Sequence, residues 1–119
     1  MLNVSGPFHS PMLEKAGEEL AEVLQGVELS PLKVPYVTNV TAQEVTDISQ
    51  TKELLARQVR SSVRWKQSME KMIAAGVDTF VEIGPGRTLA GFMRKISRDV
   101  TAYNVGTWAD VEKVAESLK

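Results

Sequence analysis

Residues 78–86 read Asp-Thr-Phe-Val-Glu-Ile-Gly-Pro-Gly, and this stretch gives the clearest indication of the fold. The β-branched and aromatic residues up to position 83 predict a strand, and Gly84-Pro85-Gly86 interrupts it with a turn. Apolar residues then recur at helical spacing from Leu89 to Ile96, so the order is strand, turn and helix. The turn lacks both the Gly-x-x-x-x-Gly-Lys-Ser/Thr and the Gly-x-Gly-x-x-Gly spacings of phosphate loops, so we interpret it as structural.

The same alternation continues in both directions along the chain. Further strands are predicted over residues 34–40 and 100–105, and the other helices over residues 12–24, 51–59, 63–75 and 107–118. The intervening stretch 41–50 is too polar to predict a buried element. Strands separated by helices indicate an α/β fold, in which short, mostly parallel strands alternate with helices. Three strands make a thin sheet, which indicates that part of the fold is supplied from elsewhere.

Composition limits the functions that are open to the chain. With 119 residues, of which 43% are hydrophobic, it can fill one domain but not two. Fourteen basic and fifteen acidic residues give a net charge of -1 without a basic stripe, so no nucleic-acid partner is expected. No apolar run is long enough to span a membrane, and no secretory signal opens the chain, so we expect no membrane association and a cytoplasmic location. Without cysteine, and with one histidine, no metal site is predicted.

That single histidine is His9, and it is the first candidate for acid-base chemistry. An imidazole exchanges protons near neutral pH without a special environment. Gly6 and Pro7 predict a turn before it, and Ser10-Pro11 predicts a helix N-cap followed by proline at the first helical position. His9 therefore lies on a loop that leads into a helix, where reactive groups are often presented to a cleft. The alternative is a surface or capping histidine without chemical function.

Four motifs occur in an order and at spacings that suggest a family. They are Asn-Val-Ser-Gly-Pro-Phe-His-Ser at 3–10, Val-Pro-Tyr-Val-Thr-Asn-Val at 34–40, Arg-Gln-Val at 57–59 before Ser-Val-Arg-Trp at 62–65, and Val-Glu-Ile-Gly-Pro-Gly at 81–86 with Leu89. With them the chain resembles the carboxyl-terminal portion of bacterial malonyl-CoA:acyl-carrier-protein transacylases. The resemblance implies that residues 1–119 are the carboxyl-terminal part of an acyltransferase domain, within its large subdomain. Because no Gly-x-Ser-x-Gly occurs in the chain, the segment with the nucleophile is expected upstream, and the chain alone is expected to be inactive.

The resemblance also implies a reaction, with substrates and partners. The family transfers a malonyl group from malonyl-CoA to a serine and then to the phosphopantetheine thiol of acyl carrier protein, in fatty acid biosynthesis. His9 matches the histidine that acts as general base and then as general acid. The implied partners are malonyl-CoA, acyl carrier protein and the missing amino-terminal segment of the same enzyme, with no cofactor and no metal.

Two further residues acquire expected roles from the resemblance. Gln58 matches the residue whose main-chain carbonyl accepts the second ring N–H of the histidine, although the sequence by itself favours a residue that only solvates a helix end. Phe8 matches a position where a bulky aromatic is associated with malonyl rather than methylmalonyl substrates, although it could instead be a core residue that anchors the loop. Arg57, Arg60 and Arg64 could face acidic side chains of a carrier or form a solvated helix face.

Two other functions remain open from the sequence. The chain could be a piece of the acyltransferase domain of a polyketide or fatty-acid synthase, which would also contain the histidine and the Gly-Pro-Gly turn. It could instead be a non-catalytic docking module for a carrier protein, in which His9 has no chemical role. Tight binding of carrier by this chain alone would favour the docking module.

Overall fold

The computed structural model describes residues 6–119, so Asn3, Val4 and Ser5 of the first motif lie outside the described residues. The chain divides into two compact units, Met1–Ser68 and Met69–Lys119. The elements are α1 (Glu14–Gln25), β1 (Tyr36–Val37), β2 (Glu44–Val45), α2 (Thr51–Arg60), α3 (Trp65–Ala74), β3 (Thr79–Ile83), α4 (Thr88–Ile96), β4 (Thr101–Val105) and α5 (Trp108–Ser117), with short 3₁₀ turns at Pro11–Leu13 and Ile48–Gln50. The predicted α/β class is confirmed.

The first unit is built on the packing of α1 against α2. Gly17 of α1 is buried, and a Cβ atom added to it would lie 3.0 Å from the carbonyl oxygen of Ala56 in α2. The two backbones therefore approach closely at this point because position 17 has no side chain. Leu54 of α2 is one of the buried apolar residues of this unit.

The strand predicted over residues 34–40 is much shorter than expected and does not join a parallel sheet. Only Tyr36–Val37 pairs, and it pairs antiparallel with Glu44–Val45. Pro35 cannot donate a backbone hydrogen bond, and after Val37 the chain turns back, with Ala42 N donating to Thr38 O at 2.9 Å. The interpretation of residues 41–50 as an unburied stretch was wrong as well, because Ala42 and Val45 are 3% and 4% exposed.

The second unit contains the parallel pair of strands. β3 and β4 pair in register from Thr79↔Thr101 to Ile83↔Val105, and α4 connects them, as in a βαβ unit. Val81 and Ile83 of β3 are 37% and 83% exposed. Parallel strands are normally covered on both faces, so this pair has the open apolar surface of an incomplete sheet.

The Gly84-Pro85-Gly86 turn fits the structural interpretation. Its glycines have φ angles of 138° and 93°, which side chains disfavour. The carboxylate of Glu82 accepts hydrogen bonds from Leu89 N and Ala90 N, at 3.3 and 2.9 Å. The first amides of α4 are therefore satisfied by a side chain from β3, where a phosphate loop would leave them open to an anion.

Helix α5 begins with the N-cap that the sequence predicted at Thr107. Thr107 Oγ1 accepts from Asp110 N at 3.3 Å, and Asp110 Oδ2 accepts from Gly106 N and Thr107 N at 3.1 and 3.0 Å. The hydrogen bond from the Gly106 amide, followed by those from Thr107, holds the pKa of the Asp110 carboxyl below its ordinary value. Among residues 6–119, no helix has the length and apolar character that crossing a membrane requires.

We predict that Asp110→Ala destabilises α5 at neutral pH and that the effect disappears in acid. Because the carboxyl pKa is lower in the folded chain, its stabilisation is complete above the ordinary value of 3.8 and is lost as the pH falls through the folded value. Thermal unfolding followed by circular dichroism should show a lower Tm for the variant at pH 7 and converging curves below pH 3.8. Glu112→Ala in the same helix is the control, and an Asp110→Ala effect that persists undiminished in acid would contradict the assignment.

Candidate functional site

His9 lies in a tight turn that gives it an uncommon backbone conformation. Its φ angle is 55°, in the left-handed region that side chains other than those of Asn, Asp and His rarely adopt. Ser10 Oγ donates a hydrogen bond to Pro7 O at 2.6 Å, across the turn. Ser10 and Pro11 occupy the predicted N-cap and first helical positions, but the serine hydroxyl makes no cap bond, because it closes the turn instead. The turn therefore holds His9 in a conformation that costs about 1 to 2 kcal/mol.

The imidazole of His9 contacts the end of α2. Its Nδ1 atom lies 2.9 Å from the main-chain oxygen of Gln58, 49 positions along the chain. A carbonyl oxygen can only accept, so Nδ1 must carry the proton, and Nε2 of the neutral ring is left with its lone pair. Gln58 O is the acceptor in this bond, and among residues 6–119 it is the hydrogen-bond partner that the structure gives His9. The contact that the resemblance implied between these two residues is thus present.

Gln58 O is available to His9 because α2 ends two residues later. The last four carbonyl groups of a helix have no intrahelical partner, and the helix dipole places negative potential at that end. After Arg60 the backbone becomes extended at Ser61, which has φ -108° and ψ 147°. The arrangement fixes the orientation of the ring and selects one tautomer of it. A base held in this way can take a proton at Nε2 and return it there.

The position of Phe8 argues against a core role. Its side chain is 63% exposed, and its ring edge lies 3.3 Å from the point where Gly6 would carry a Cβ atom. The ring is therefore stacked on the turn rather than inserted into a core of the described residues. An exposed aromatic beside an exposed imidazole remains available to a ligand, and the role of Phe8 in substrate selection stays a prediction.

Two cavities are described in the first unit. One of about 460 Å³ follows the end of α1, around Gln25 and Ile48, and one of about 310 Å³ lies between α1 and α2, around Gly17 and Arg57. His9 lines neither of them. No group of three His, Asp or Glu side chains that could hold a metal ion occurs within residues 6–119.

The three arginines considered from the sequence each have a partner inside the chain. Arg57 Nη1 lies 3.7 Å from Glu53 Oε1 in the same helix, and Arg64 Nη1 donates to Thr41 O at 3.4 Å. Arg60 Nη1 donates to Glu14 Oε1 at 2.6 Å, which joins α2 to α1. The sequence analysis missed Glu14, and no local pattern could have found it, because the two residues are 46 positions apart.

Comparisons with known proteins agree with the resemblance seen in the sequence. No family model matches the chain. The malonyl CoA-acyl carrier protein transacylase of Bacillus subtilis is 41% identical over 118 residues, which are 99% of this chain and 37% of that protein. The chain thus spans little more than a third of the length of the curated relatives it matches, and its similarity to a portion of these transacylases is confirmed.

Solved structures show the same fold over nearly all of the chain. The transacylase from Streptococcus pneumoniae superimposes with a TM-score of 0.90 at 39% identity, covering 98% of this chain and 38% of that one. A malonyl-transacylase in complex with its type II polyketide acyl carrier protein gives a TM-score of 0.91 at 33% identity, over 98% of this chain and 38% of that one.

We predict that Ser10→Ala weakens the contact between His9 and Gln58. Loss of the bond to Pro7 O removes about 1 kcal/mol from the closed turn, which is close to what the left-handed His9 backbone costs. Nitrogen-15 NMR of the imidazole reads out the tautomer without ambiguity, because the chain has one histidine. The Nδ1–H form should decline in Ser10→Ala and return in Ser10→Thr, which keeps a hydroxyl. Ser117→Ala, which removes a hydroxyl that donates to Lys113 O in α5, is the control, and an unchanged tautomer in Ser10→Ala would exclude this role.

Proposed function

We propose that this chain supplies the acid-base histidine of a malonyl-CoA:acyl-carrier-protein S-malonyltransferase of fatty acid biosynthesis. The observation that carries the proposal is the 2.9 Å hydrogen bond between His9 Nδ1 and Gln58 O, which leaves Nε2 as a free base. The names and the coverage of the relatives support it. The nucleophile comes from polypeptide equivalent to the portion of those relatives that this chain does not span. The enzyme acts in the cytoplasm and needs no cofactor besides its two substrates.

In the first half-reaction His9 acts first as base and then as acid. Nε2 takes the proton of the nucleophilic serine hydroxyl as the serine oxygen attacks the thioester carbonyl of malonyl-CoA. The tetrahedral intermediate then expels the CoA thiolate, which receives that proton from Nε2. The malonyl group is left as a serine ester. Throughout, Gln58 O holds the opposite ring nitrogen, so the ring does not rotate between the two proton transfers.

In the second half-reaction His9 again acts as base and then as acid, and the enzyme returns to its resting state. Nε2 takes the proton from the phosphopantetheine thiol of the carrier as its sulfur attacks the ester carbonyl. The serine oxygen leaves and recovers the proton from Nε2. A carbonyl at a helix end is sufficient as the third group, because it orients the ring without adding a net charge to a site that binds an anionic substrate.

A basic cluster in the second unit supports acyl carrier protein as the partner. Arg94, Lys95 and Arg98 are exposed around an open cavity at the end of α4. The chain as a whole has a net charge of -1, so attraction of an acidic carrier must come from a local cluster of this kind rather than from overall charge. A related transacylase has been solved in complex with its acyl carrier protein, which supports a carrier as the partner without locating the surface that binds it.

We predict that substituting His9 or Gln58 by alanine has different effects on the activity of a complete enzyme. The test protein is a chimera in which this chain replaces the matching portion of the Bacillus subtilis relative. His9→Ala should lower malonyl transfer by about 10²- to 10⁴-fold, because general acid-base catalysis contributes on that order. Gln58→Ala should keep most of the activity, because the contact is made by the backbone.

The outcome of that experiment separates the proposal from its alternatives. Equal losses in the two variants would assign the function to the Gln58 side chain and contradict the proposed geometry. An active His9→Ala chimera would favour the docking module. This chain alone should form no covalent adduct with labelled malonyl-CoA, and a stable adduct would show that it has its own nucleophile.

We predict that Phe8 limits the use of branched acyl groups. Its exposed ring, next to His9 in sequence, would occupy the space that an α-methyl group needs. In the chimera, Phe8→Ser should raise the ratio of kcat/KM for methylmalonyl-CoA to kcat/KM for malonyl-CoA. We expect an increase of about 10- to 200-fold, which is the discrimination that one methylene-sized difference provides. Trp108→Ser, at an exposed aromatic of the second unit, should leave the ratio unchanged. An unaltered ratio in Phe8→Ser would exclude the role.

A further inference from the structure

We propose that the ion pair between Glu14 and Arg60 positions His9, an inference that rests on the function proposed above. Arg60 Nη1 lies 2.6 Å from Glu14 Oε1, close enough for a charge-assisted hydrogen bond. The two side chains contact each other, whereas the imidazole of His9 contacts Gln58 O. Their effect is on where the imidazole is held, so both are positioning residues.

The placement of the pair along the chain suggests this role. Glu14 is the first residue of α1 and follows His9 by five positions, and Arg60 is the last residue of α2 and follows Gln58 by two. The ion pair therefore joins the same two segments that the hydrogen bond from His9 to Gln58 O joins. The close approach at Gly17 lies further along α1, so the ion pair fixes the end of the helix pair that is nearest to His9.

The pair should affect His9 more than it affects overall stability. The side chains of Arg60 and Glu14 are 40% and 61% exposed, and exposed ion pairs contribute little to the free energy of unfolding. The turn, by contrast, holds His9 in a left-handed conformation that competes with relaxed ones. A small interaction that stabilises only the conformation with the His9–Gln58 hydrogen bond can therefore change the fraction of molecules in which Nδ1 donates to Gln58 O.

Single substitutions separate positioning from a simple charge effect. Removing the Glu14 charge leaves an unpaired cation near the site, whereas removing the Arg60 charge leaves an unpaired anion. The unpaired cation and the unpaired anion change the electric potential at the imidazole in opposite directions, so a simple charge effect would differ in sign between the two variants. If the pair positions the ring, both substitutions should instead change the tautomer of the neutral ring in the same direction.

The experiment measures the His9 tautomer by nitrogen-15 NMR in this chain and in its variants. We expect Glu14→Gln and Arg60→Gln each to lower the ratio of the Nδ1–H to the Nε2–H form by about two- to fivefold, the value of an exposed pair. Reversing the pair, with Glu14→Arg and Arg60→Glu together, should restore most of the ratio. It should not restore all of it, because the reversed charges oppose both helix dipoles.

The matched control is the pair of Glu53 and Arg57, which lies within α2 and spans 3.7 Å. Glu53→Gln and Arg57→Gln should leave the tautomer ratio unchanged, and circular dichroism verifies that every variant is folded. Opposite responses of the two single variants, or no rescue by reversal, would overturn the proposal.

A kinetic measurement in the chimera completes the test. Each single variant of the ion pair should lower kcat with KM for malonyl-CoA unchanged, and the reversed pair should recover kcat. Unchanged kcat in variants whose tautomer ratio has fallen would also overturn the proposal. Because the tautomer is read in this chain without any reaction, an inactive chimera would count against the proposed function alone.

Discussion

One hydrogen bond, from His9 Nδ1 to the main-chain oxygen of Gln58, is the constraint on which the candidate site depends. It joins segments 49 positions apart and requires two local conditions at once. The turn before α1 must hold His9 in the left-handed region, and α2 must stop soon after Gln58. The close packing of α1 on α2, which the absence of a side chain at Gly17 permits, brings the two segments within reach.

The energies that hold this arrangement are individually small. The bond from Ser10 to Pro7 and the ion pair of Glu14 with Arg60 each contribute about 1 kcal/mol or less, and the strained backbone of His9 costs about as much. Terms of this size barely change whether a domain folds, but they decide which of two loop conformations is populated. The geometry of the candidate site is therefore more sensitive to substitution than the stability of the fold.

Local chemistry in the sequence predicted the parts of the structure that depend on neighbours in the chain. The strand, turn and helix around Gly84 and the cap at Thr107 are examples, since φ angles and capping bonds are decided within a few residues. The antiparallel pairing of Tyr36–Val37 and the burial of Val45 were missed, because a two-residue strand has no periodicity to detect. Ion pairs between distant residues leave no local signal either.

The use of a main-chain oxygen changes what the sequence can reveal about the site. If α2 continued for another turn, Gln58 O would accept the amide of Ser62, four residues ahead, and His9 would lose its partner. The break at residues 61–62 therefore matters more for the hydrogen bond than the side chain at position 58 does. A side-chain carboxylate in the same place would be visible as a residue type, whereas this acceptor is visible only as the end of a helix. The information about the site thus lies in where the helix stops, and that is a property of the backbone which several different side chains could share.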